Sequence, residues 1–587
     1  MRRPARRRYG RGAKGARSCA LAGWRCTEHA QPLGVWGALY TMQLHAAVFD
    51  NLTPQINAQP FADVLRRVGE VADQQRIEAY AVGGLVRDLM LGRPTSDIDF
   101  VTVGKDSGIR LAKAVAKAFG GRTAHVYPTF GTAAVRLPTP DGKDALVLEF
   151  VAARKESYQR DSRKPKVVTG TLADDQHRRD FTINAMAIHI APDRFGEVVD
   201  PFDGRADLAS QTLRTPLDPA QTFDDDPLRM IRAARFATQL GFRIHPDTFH
   251  AMRAQADRVS ILSQERITEE LGKIMRAEVP SAGYKILFST GILRHCFRVL
   301  TDLKGVETID GQGHKDNFYH SLQVLDNLVA ATPERSPEDT YWLRWAALLH
   351  DIGKPRTKRF VEGHGWTFHG HEEIGARMIP KLFKRLKLPS DERMQYVQKL
   401  VRLHHRPVAL VDDDVTDSAV RRLLFDAGDD IDDLMTLVRA DITSKNPRRV
   451  ARYLRAFDHV EDKLVEVEEK DQLRNFQPPV DGHEIMEVLG IGEGLAIGIL
   501  KETIREAILD GEIPNEHDAA YAMMMRIKDD ALRRGRLFDT VVRRLERAER
   551  RAVGAIKEAV VTQSLPEDDE AAIAVLMQVK DEMLAAL

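Results

Sequence analysis

AVGGLVRDLMLGRPTSDIDFVTV, residues 81–103, decides how the rest of the chain is read. The apolar run before Gly83 predicts a strand, LVRDLML after it a helix, and DIDFVTV a second strand. Glycines at a strand-to-helix turn let backbone N–H groups approach a phosphate, and the helix N-terminus adds positive potential. A Gly-Gly pair by itself is equally a plain turn. Asp97 and Asp99 sharpen the reading, because carboxylates two apart on a strand project from one face. Two like charges so placed are costly unless a divalent cation lies between them. An all-oxygen pair of this kind suits Mg²⁺ that also holds substrate phosphates. Asp-x-Asp alone would fit a solvated strand edge; behind GG and VRD the metal-site reading is preferred.

Further strand-like stretches surround this segment. EAYAVGG overlaps it, and TAAVRL (132–137) and ALVLEFVAA (145–153) follow, with Glu149 a candidate third carboxylate on a neighbouring strand. FADVLRRVGEVADQQ (61–75) has apolar residues at helical spacing. Past about residue 205 the strand signal stops, and nearly everything reads as amphipathic helix. The expected fold class is α+β: a small head followed by an all-helical body.

At roughly 150 residues per domain, the 587 residues suggest about four domains. Lys+Arg and Asp+Glu are both 86, so no single-sign field surrounds the molecule, although local basic patches stay open. Cys19, Cys26 and Cys296 form neither a disulfide framework nor zinc-finger spacing, and a reducing cytoplasm is expected. There is no run of about 18 apolar residues, so no membrane partner is expected. The opening MRRPARRRYGRGAKGARSCA has no acid before Glu28 and reads as a basic RNA-touching arm, a targeting segment or a disordered leader. Met42 is an alternative start. Linkers are expected near 336–340, 412–417 and 474–482.

GG-x-VRD followed by Asp-x-Asp resembles the head of the class II tRNA nucleotidyltransferase and bacterial poly(A) polymerase family. The resemblance implies a polymerase-β-type fold with Asp97 and Asp99 as catalytic metal ligands. One metal ion would activate the RNA 3′-hydroxyl and the other steady the triphosphate, for in-line attack with pyrophosphate leaving. Gly83, Gly84 and Arg87 would line the nucleotide site. ARKESYQRDSRKP (153–165) resembles the family's flexible loop, with Arg154, Glu156 and Tyr158 in the order R-x-E-x-Y. QHRRDFTINAMAI carries the family's Arg-Arg-Asp as Arg178, Arg179 and Asp180, with Asn184 one helical turn on. Arginines would face the triphosphate, and Asp180 and Asn184 the sugar hydroxyls.

In DDDPLRMIRAARFATQLGF (224–242), Asp226 and Arg229 are three apart on a predicted helix and share a face, which also suits a plain ion pair. Cytosine and adenine each present an amino donor beside a ring-nitrogen acceptor. A carboxylate beside a guanidinium matches that pattern and rejects guanine and uracil. The family uses E-D-x-x-R in this way, which implies Asp226 and Arg229 as the base-selecting pair for CTP and ATP; Asp225 departs from the family's Glu. Arg232 and Arg235 would face the nucleotide or brace the helix.

Residues 314–441 carry a second constellation: His320 on a helix, His350-Asp351 ending an apolar helix, His371 in GHEEIG, His404 and His405 in LVRLHHRP, and Asp441. Imidazoles and carboxylates brought together by helices are what a hydrolytic metal centre needs. The order H…HD…H…HH…D is similar to the HD phosphohydrolase superfamily. It implies His320, His350, Asp351 and Asp441 as primary ligands of a divalent metal of unknown identity. His371 and His404 would complete a second site, with Lys354 positioned for a phosphate. Phosphatase or cyclic phosphodiesterase activity is implied; a purely structural helical domain is the alternative.

Residues 478–515 resemble a late segment of bacterial family members. There Gly490, Gly492, Gly494 and Gly498 mark a junction that could pass close to RNA or simply pack tightly. Arg533, Arg534, Arg536, Arg543, Arg544, Arg547, Arg550 and Arg551 make a basic helical run, either a phosphate-contacting surface or a solvated face. The expected division is 1–45 leader, 55–200 nucleotidyltransferase head, 201–300 neck, 301–450 HD domain and 451–587 helical RNA-binding body. The leading expectation is a CCA-adding tRNA nucleotidyltransferase with tRNA, CTP and ATP as partners. A poly(A) polymerase or A-adding enzyme with the same head is the alternative, and an HD phosphohydrolase with an RNA-binding head is the reading from another class. Nothing in the sequence sets the oligomeric state.

Overall fold

The computed structural model describes residues 49–585, apart from residues 96, 129–130, 139–144, 160–161, 310–311, 314, 412–415, 445, 472–476 and 548. The leader expected at 1–45 therefore lies outside the described residues. Nine strands belong to the head: β1 (Ala79–Val82), β2 (Asp97–Thr102), β3 (Ala124–Tyr127), β4 (Thr132–Pro138), β5 (Ala145–Ala152), β6 (Arg154–Gln159), β7 (Ser162–Thr169), β8 (Ala187–His189) and β9 (Val198–Val199). Seven of them form one sheet in the order β3-β4-β5-β2-β1-β8-β9. β2 and β5 run parallel and all the other neighbours antiparallel, so the sheet is mixed.

Period-two alternation sorts the side chains. Ile98, Phe100, Leu148, Phe150, Val135 and Ala133 are buried, as are Leu111 and Val115 of the helix Ser107–Ala118, which packs against β4 and β5. Burying each of the larger side chains stabilises the head by about 2 kcal/mol. Phe100 and Phe150 stack with ring centroids 4.8 Å apart. At Gly108 a Cβ would lie 2.9 Å from the Ala152 nitrogen, so the close approach of helix to sheet requires glycine there. The opposite face carries Asp97, Asp99 and Glu149 and is left for chemistry.

β6 and β7 pair with each other outside the main sheet. The segment expected as a loop is thus a two-stranded hairpin, held by the backbone pairing of Arg154–Ser157 with Lys166–Thr169 and of Gln159 with Ser162. The side chains of 156–167, Glu156 and Tyr158 among them, lie outside the described residues.

Beyond the head the chain is helical, as expected, with three small departures: the pairs Thr212–Leu213 with Arg243–Ile244, Thr308–Ile309 with Gln312–Gly313, and Arg359–Val361 with Gly365–Thr367. Strands of two or three residues are too short to leave a periodic signal. The helix Leu228–Leu240 packs on Gln264–Met275 and Pro280–Ser289. Asn317–Ala331, Tyr341–Leu349, His371–Leu386, Glu392–Leu403 and Ile431–Ala440 build the next unit around Trp345, Phe383 and Leu400. The last long helices are Pro447–Asp471, Leu495–Asp510, His517–Arg544 and Asp569–Ala585. Among the described residues, no helix is long and apolar enough to cross a membrane.

Candidate functional site

β1 ends at Val82, and Gly83 turns the chain with φ +74° into the helix Gly84–Leu91. An L side chain rarely adopts that φ, and a Cβ there would also strike Arg179 Nη1 at 2.9 Å and come within 3.7 Å of Asp99 Oδ2. The turn thus brings the glycine, Arg179 and Asp99 to one place. The Gly83 N–H is committed to the Met186 carbonyl (3.3 Å), so only the amides at the start of the following helix could receive a phosphate here. Asp99 is opposite Glu149 across the β2–β5 register, and Asp97 opposite Val147. Burial pushes the Asp99 carboxyl up to about 6; Arg179 opposes the rise, while Glu149, Asp97 and Asp175 add to it. A carboxylate flanked by two further carboxylates offers the oxygen ligands that a hard divalent cation takes.

The Arg-Arg-Asp element is held from behind. Arg178 and Arg179 both donate to the fully buried Asp175, Arg179 Nε at 2.9 Å. The Asp175 carboxyl is held below the usual range because its two arginines overcome its burial. Asp180 accepts from Arg232 (2.6 Å) and from Asn184 Nδ2 (3.1 Å), and Asn184 Oδ1 accepts from Arg87 Nη1 (2.8 Å). Asp180 and Asn184 therefore do come together, across the short turn Thr182–Ala185. Arg235 turns away from this network to Glu270 (2.6 Å) and Gln239 (3.1 Å), so it braces the helix and does not face the nucleotide site.

One expectation fails locally. Asp226 is not on the helix with Arg229. Pro227 has no N–H and disfavours helical geometry in the residue before it, so Asp226 is extended (φ −144°, ψ 103°) between Pro219–Asp225 and Leu228–Leu240. Its Oδ1 accepts from Leu228 N (3.1 Å) and its Oδ2 from Arg266 Nη2 (3.0 Å). Arg229 donates to the carbonyls of Thr222 (3.2 Å) and Arg178. The i,i+3 ion pair that the spacing suggested is replaced by two separately anchored groups.

The second constellation converges. His320 and His350 direct Nε2 at Asp351 Oδ2 (3.4 and 3.3 Å) and at Asp441 Oδ1 (2.9 and 3.6 Å). On the other side, His371 and His404 direct Nε2 at Asp351 Oδ1 (3.4 and 3.9 Å), and their two Nε2 atoms are 3.3 Å apart. His350, His371 and His404 turn Nδ1 to the carbonyls of Ala347, Phe368 and Val401, and His320 turns it to the Thr443 hydroxyl, at 2.7–2.9 Å. Each ring is thereby oriented with Nε2 inward. His350 Nε2 and Asp351 Oδ1 are buried without a hydrogen-bond partner, as ligand atoms waiting for a cation would be. Burial works against charge on His350, but Asp351 and Asp441 outweigh it and hold the ring up to about 10. Burial, with the charge on His350, pushes His404 down to about 3. Lys354 Nζ lies 2.7 Å from Asp351 Oδ2, while His405 only flanks the rings of His371 and His404. The donor set, imidazole and carboxylate with contact distances near the edges of a coordination shell having bonds of about 2.1 Å, fits a divalent transition metal.

Comparison with known proteins agrees with this geometry. Residues 79–214 match the model of the poly A polymerase head domain, 241–304 that of a probable RNA and SrmB-binding site of polymerase A, and 317–444 the HD domain. The chain is 31% identical over 454 residues to an A-adding tRNA nucleotidyltransferase of Deinococcus radiodurans, covering 75% of this chain and 94% of that one. This chain belongs to the tRNA nucleotidyltransferase family. It is also 34% identical to a multifunctional CCA protein of Haemophilus influenzae, over 56% of this chain and 74% of that protein. Among solved structures, a CCA-adding enzyme complexed with ATP superposes with a TM-score of 0.53 at 21% identity, covering 81% of this chain and 99% of that one. At that identity the likeness speaks for the fold. The head is accordingly that of a polymerase-β-type nucleotidyltransferase, followed by a helical body with an HD domain.

Three residues of this tRNA nucleotidyltransferase family member were not singled out from sequence. Asp175 orients both arginines, Glu270 anchors Arg235, and Arg266 anchors Asp226. The i,i+3 and i,i+4 spacing of Asp175 to Arg178 and Arg179 was a usable signal; the other two act across the tertiary fold. In the C-terminal body the basic run is not one helix, since His517–Arg544 ends at the buried, extended Leu545. Arg533 and Arg534 tie that helix to Asp569, Pro566, Val560 and Gln563. A Cβ at Gly490, Gly492, Gly494 or Gly498 would meet nothing within 4 Å, so tight packing does not account for those glycines.

Proposed function

We propose that the chain is a CCA-adding enzyme that extends the 3′ end of tRNA with C, C and A from CTP and ATP, releasing pyrophosphate. The observation that carries the reading is the meeting of Asp99, Gly83 and Arg179 at the end of β1. Asp97 and Asp99 would hold Mg²⁺. When bound there, the ion supplies Lewis-acid polarisation of the α-phosphate and a lowered pKa at the RNA 3′-hydroxyl. The chain does the rest. Arg179, fixed by Asp175, neutralises triphosphate charge, and the amides after Gly83 receive phosphate oxygens. Asn184, shared between Asp180 and Arg87, presents its amide toward the ribose.

Base choice rests with Asp226 and Arg229. A carboxylate has about four acceptor positions and a guanidinium five N–H donors, so the anchors found here orient both groups and leave capacity for a base edge. Asp226 accepts from the exocyclic amine, and Arg229 donates to the ring nitrogen. Guanine and uracil would set donor against donor and acceptor against acceptor. The HD cluster would bind a divalent metal for phosphate-ester hydrolysis, and the helical body would carry the tRNA by shape and backbone contacts. The proposed division is head 55–200, neck 201–300, HD domain 301–450 and body 451–587, in a cytoplasmic protein.

The decisive experiment incubates the purified chain with tRNA lacking its 3′ CCA and with CTP and ATP, separately and together. The expected result is C incorporation with CTP alone and a complete CCA end with both. Incorporation of A only onto tRNA already ending in CC would transfer the assignment to an A-adding enzyme, the reading favoured by the Deinococcus relative.

A further inference from the structure

The catalytic sheet face does not stop at Glu149. Residues directly opposed in adjacent strands point to one side of a sheet, so the register extends the row across β2, β5, β4 and β3 as Asp99, Glu149, Ala134 and His125. The neighbouring row runs Asp97, Val147, Arg136, and the row on the other side ends at Thr132 and Tyr127. Ala133, Val135 and Leu137 point the other way and are buried. The open face therefore continues from the carboxylates to an edge that carries Arg136, His125 and Tyr127, with Arg122 beside them.

At that edge a cavity of about 460 Å³ is lined by Arg122, His125, Arg136, Thr123 and the Phe119–Gly121 turn. Gly120 and Gly121 have φ of +80° and +72°, and nothing lies within 4 Å of a Cβ at either, so the turn keeps the cavity open. Arg122, His125 and Arg136 are exposed, and Tyr127 is 54% exposed. Among the described residues neither arginine has an ion-pair partner. Two guanidiniums without an ion-pair partner among the described residues, on a sheet edge that also carries an exposed aromatic ring, suit phosphates followed by a stacked base.

Reaction geometry selects the occupant. Gly83, Arg179 and Arg87, the groups assigned to the triphosphate end of the nucleotide site, lie on the β1 side of Asp99. In-line displacement puts the attacking hydroxyl opposite the leaving pyrophosphate. The RNA strand must then enter from the β5–β4–β3 side. With strands about 4.8 Å apart, the patch is about 10–14 Å from Asp99, the span of about three to four nucleotides at a stacked rise of about 3.4 Å. We propose that Arg122, Arg136, His125 and Tyr127 form a binding site for the single-stranded 3′ end of the RNA substrate, holding the nucleotides just upstream of the reacting hydroxyl. Arg122 and Arg136 take phosphates, and Tyr127 stacks on a base.

This assignment deepens the nucleotidyltransferase reading and rests on it. The test compares the full-length chain with Arg122→Ala/Arg136→Ala and with Tyr127→Ala. Readouts are nucleotide addition and equilibrium binding of an RNA hairpin with or without a four-nucleotide 3′ overhang. The double variant should raise KM for RNA about tenfold, with KM for CTP and ATP unchanged. It should flatten the salt dependence of overhang binding by about 1.4 in log–log slope, as loss of two single-strand phosphate contacts requires. Tyr127→Phe should restore what Tyr127→Ala loses, because stacking needs the ring and not the hydroxyl. Unchanged overhang affinity and salt slope would overturn the proposal while leaving the enzyme reading intact. Equal weakening for the blunt hairpin would overturn it too, by assigning the patch to duplex. An inactive wild-type chain would defeat the function reading alone, and overhang binding would still decide the site.

Discussion

The head and the HD unit each gather carboxylates, but on opposite terms. Asp97 and Glu149 are exposed on an open sheet face, and Asp99 sits between them with its proton affinity raised to about 6. In the HD cluster His350, Asp351, His371 and His404 are buried and His320 and Asp441 partly so, each of the four imidazoles is locked through its Nδ1, and His350 Nε2 and Asp351 Oδ1 lack hydrogen-bond partners. The head site is thus half a site, to be completed by a triphosphate and an RNA end. The HD cluster, as proposed above, would supply a cation's whole ligand set from the protein. A transferase that must admit two nucleotides and a moving strand cannot enclose its metal ligands; a hydrolytic centre with a resident cation can.

The largest expected effect breaks the head alone. Asp99→Asn should reduce nucleotide addition about a thousandfold or more, since several kcal/mol of transition-state stabilisation rest on this carboxylate. Divalent metal bound by the HD unit, measured by calorimetric titration with Mn²⁺, should be unchanged. Simultaneous loss of both would show that the two centres are coupled and that the contrast drawn above is wrong.

Next in size is Asp351→Asn, the mirror experiment. Asp351 faces four imidazoles and Lys354. Removing its charge leaves His350 and Lys354 without their shared carboxylate in the core, at a cost of about 3–5 kcal/mol. Thermal unfolding should show a lower Tm and no further rise on adding metal, while C and A incorporation below the new Tm stays within about twofold of wild type. Retained metal-dependent stabilisation would remove Asp351 from the ligand set.

The same contrast explains what the sequence made legible. The HD residues stood out because imidazoles and carboxylates recur in the order H…HD…H…HH…D on or beside apolar helices, a combination that single helix caps do not produce. The β2 carboxylates stood out for the same reason, two acids opening an apolar strand. What was hidden depends on tertiary partners. Glu270 and Arg266 belong to the helix Gln264–Met275, which reads as an ordinary amphipathic segment and acquires its role only when packed on Leu228–Leu240. Asp226 was misplaced because periodicity carried the helix through Pro227, although the proline itself argued for a break. The β6–β7 hairpin was read through resemblance as a loop, and its ladder is formed by polar residues that give no hydrophobic alternation.

The smallest effect tests whether the open head relies on buried ion pairs behind its surface for the rigidity that a bound metal would give the HD unit. Asp180 is buried. Desolvation opposes its charge, yet Arg232, with hydrogen bonds from Asn184 and Arg232, holds the carboxyl down to about 2. A carboxyl depressed in the folded state stabilises it above the unfolded pKa near 4, and that stabilisation is lost as the pH falls from about 4 through about 2. With one pKa unit worth 1.36 kcal/mol, the contribution at neutral pH is about 2 kcal/mol. Asp180→Asn should therefore lower the urea-unfolding free energy by about that amount at pH 7, and the difference from wild type should shrink below about pH 4. Arg232 would be left without its carboxylate, so KM for both nucleotides should rise while the HD metal titration is untouched. A stability difference that persisted undiminished at pH 3 would mean that Asp180 acts through shape and hydrogen bonding, and that the rigidity of the head has another source.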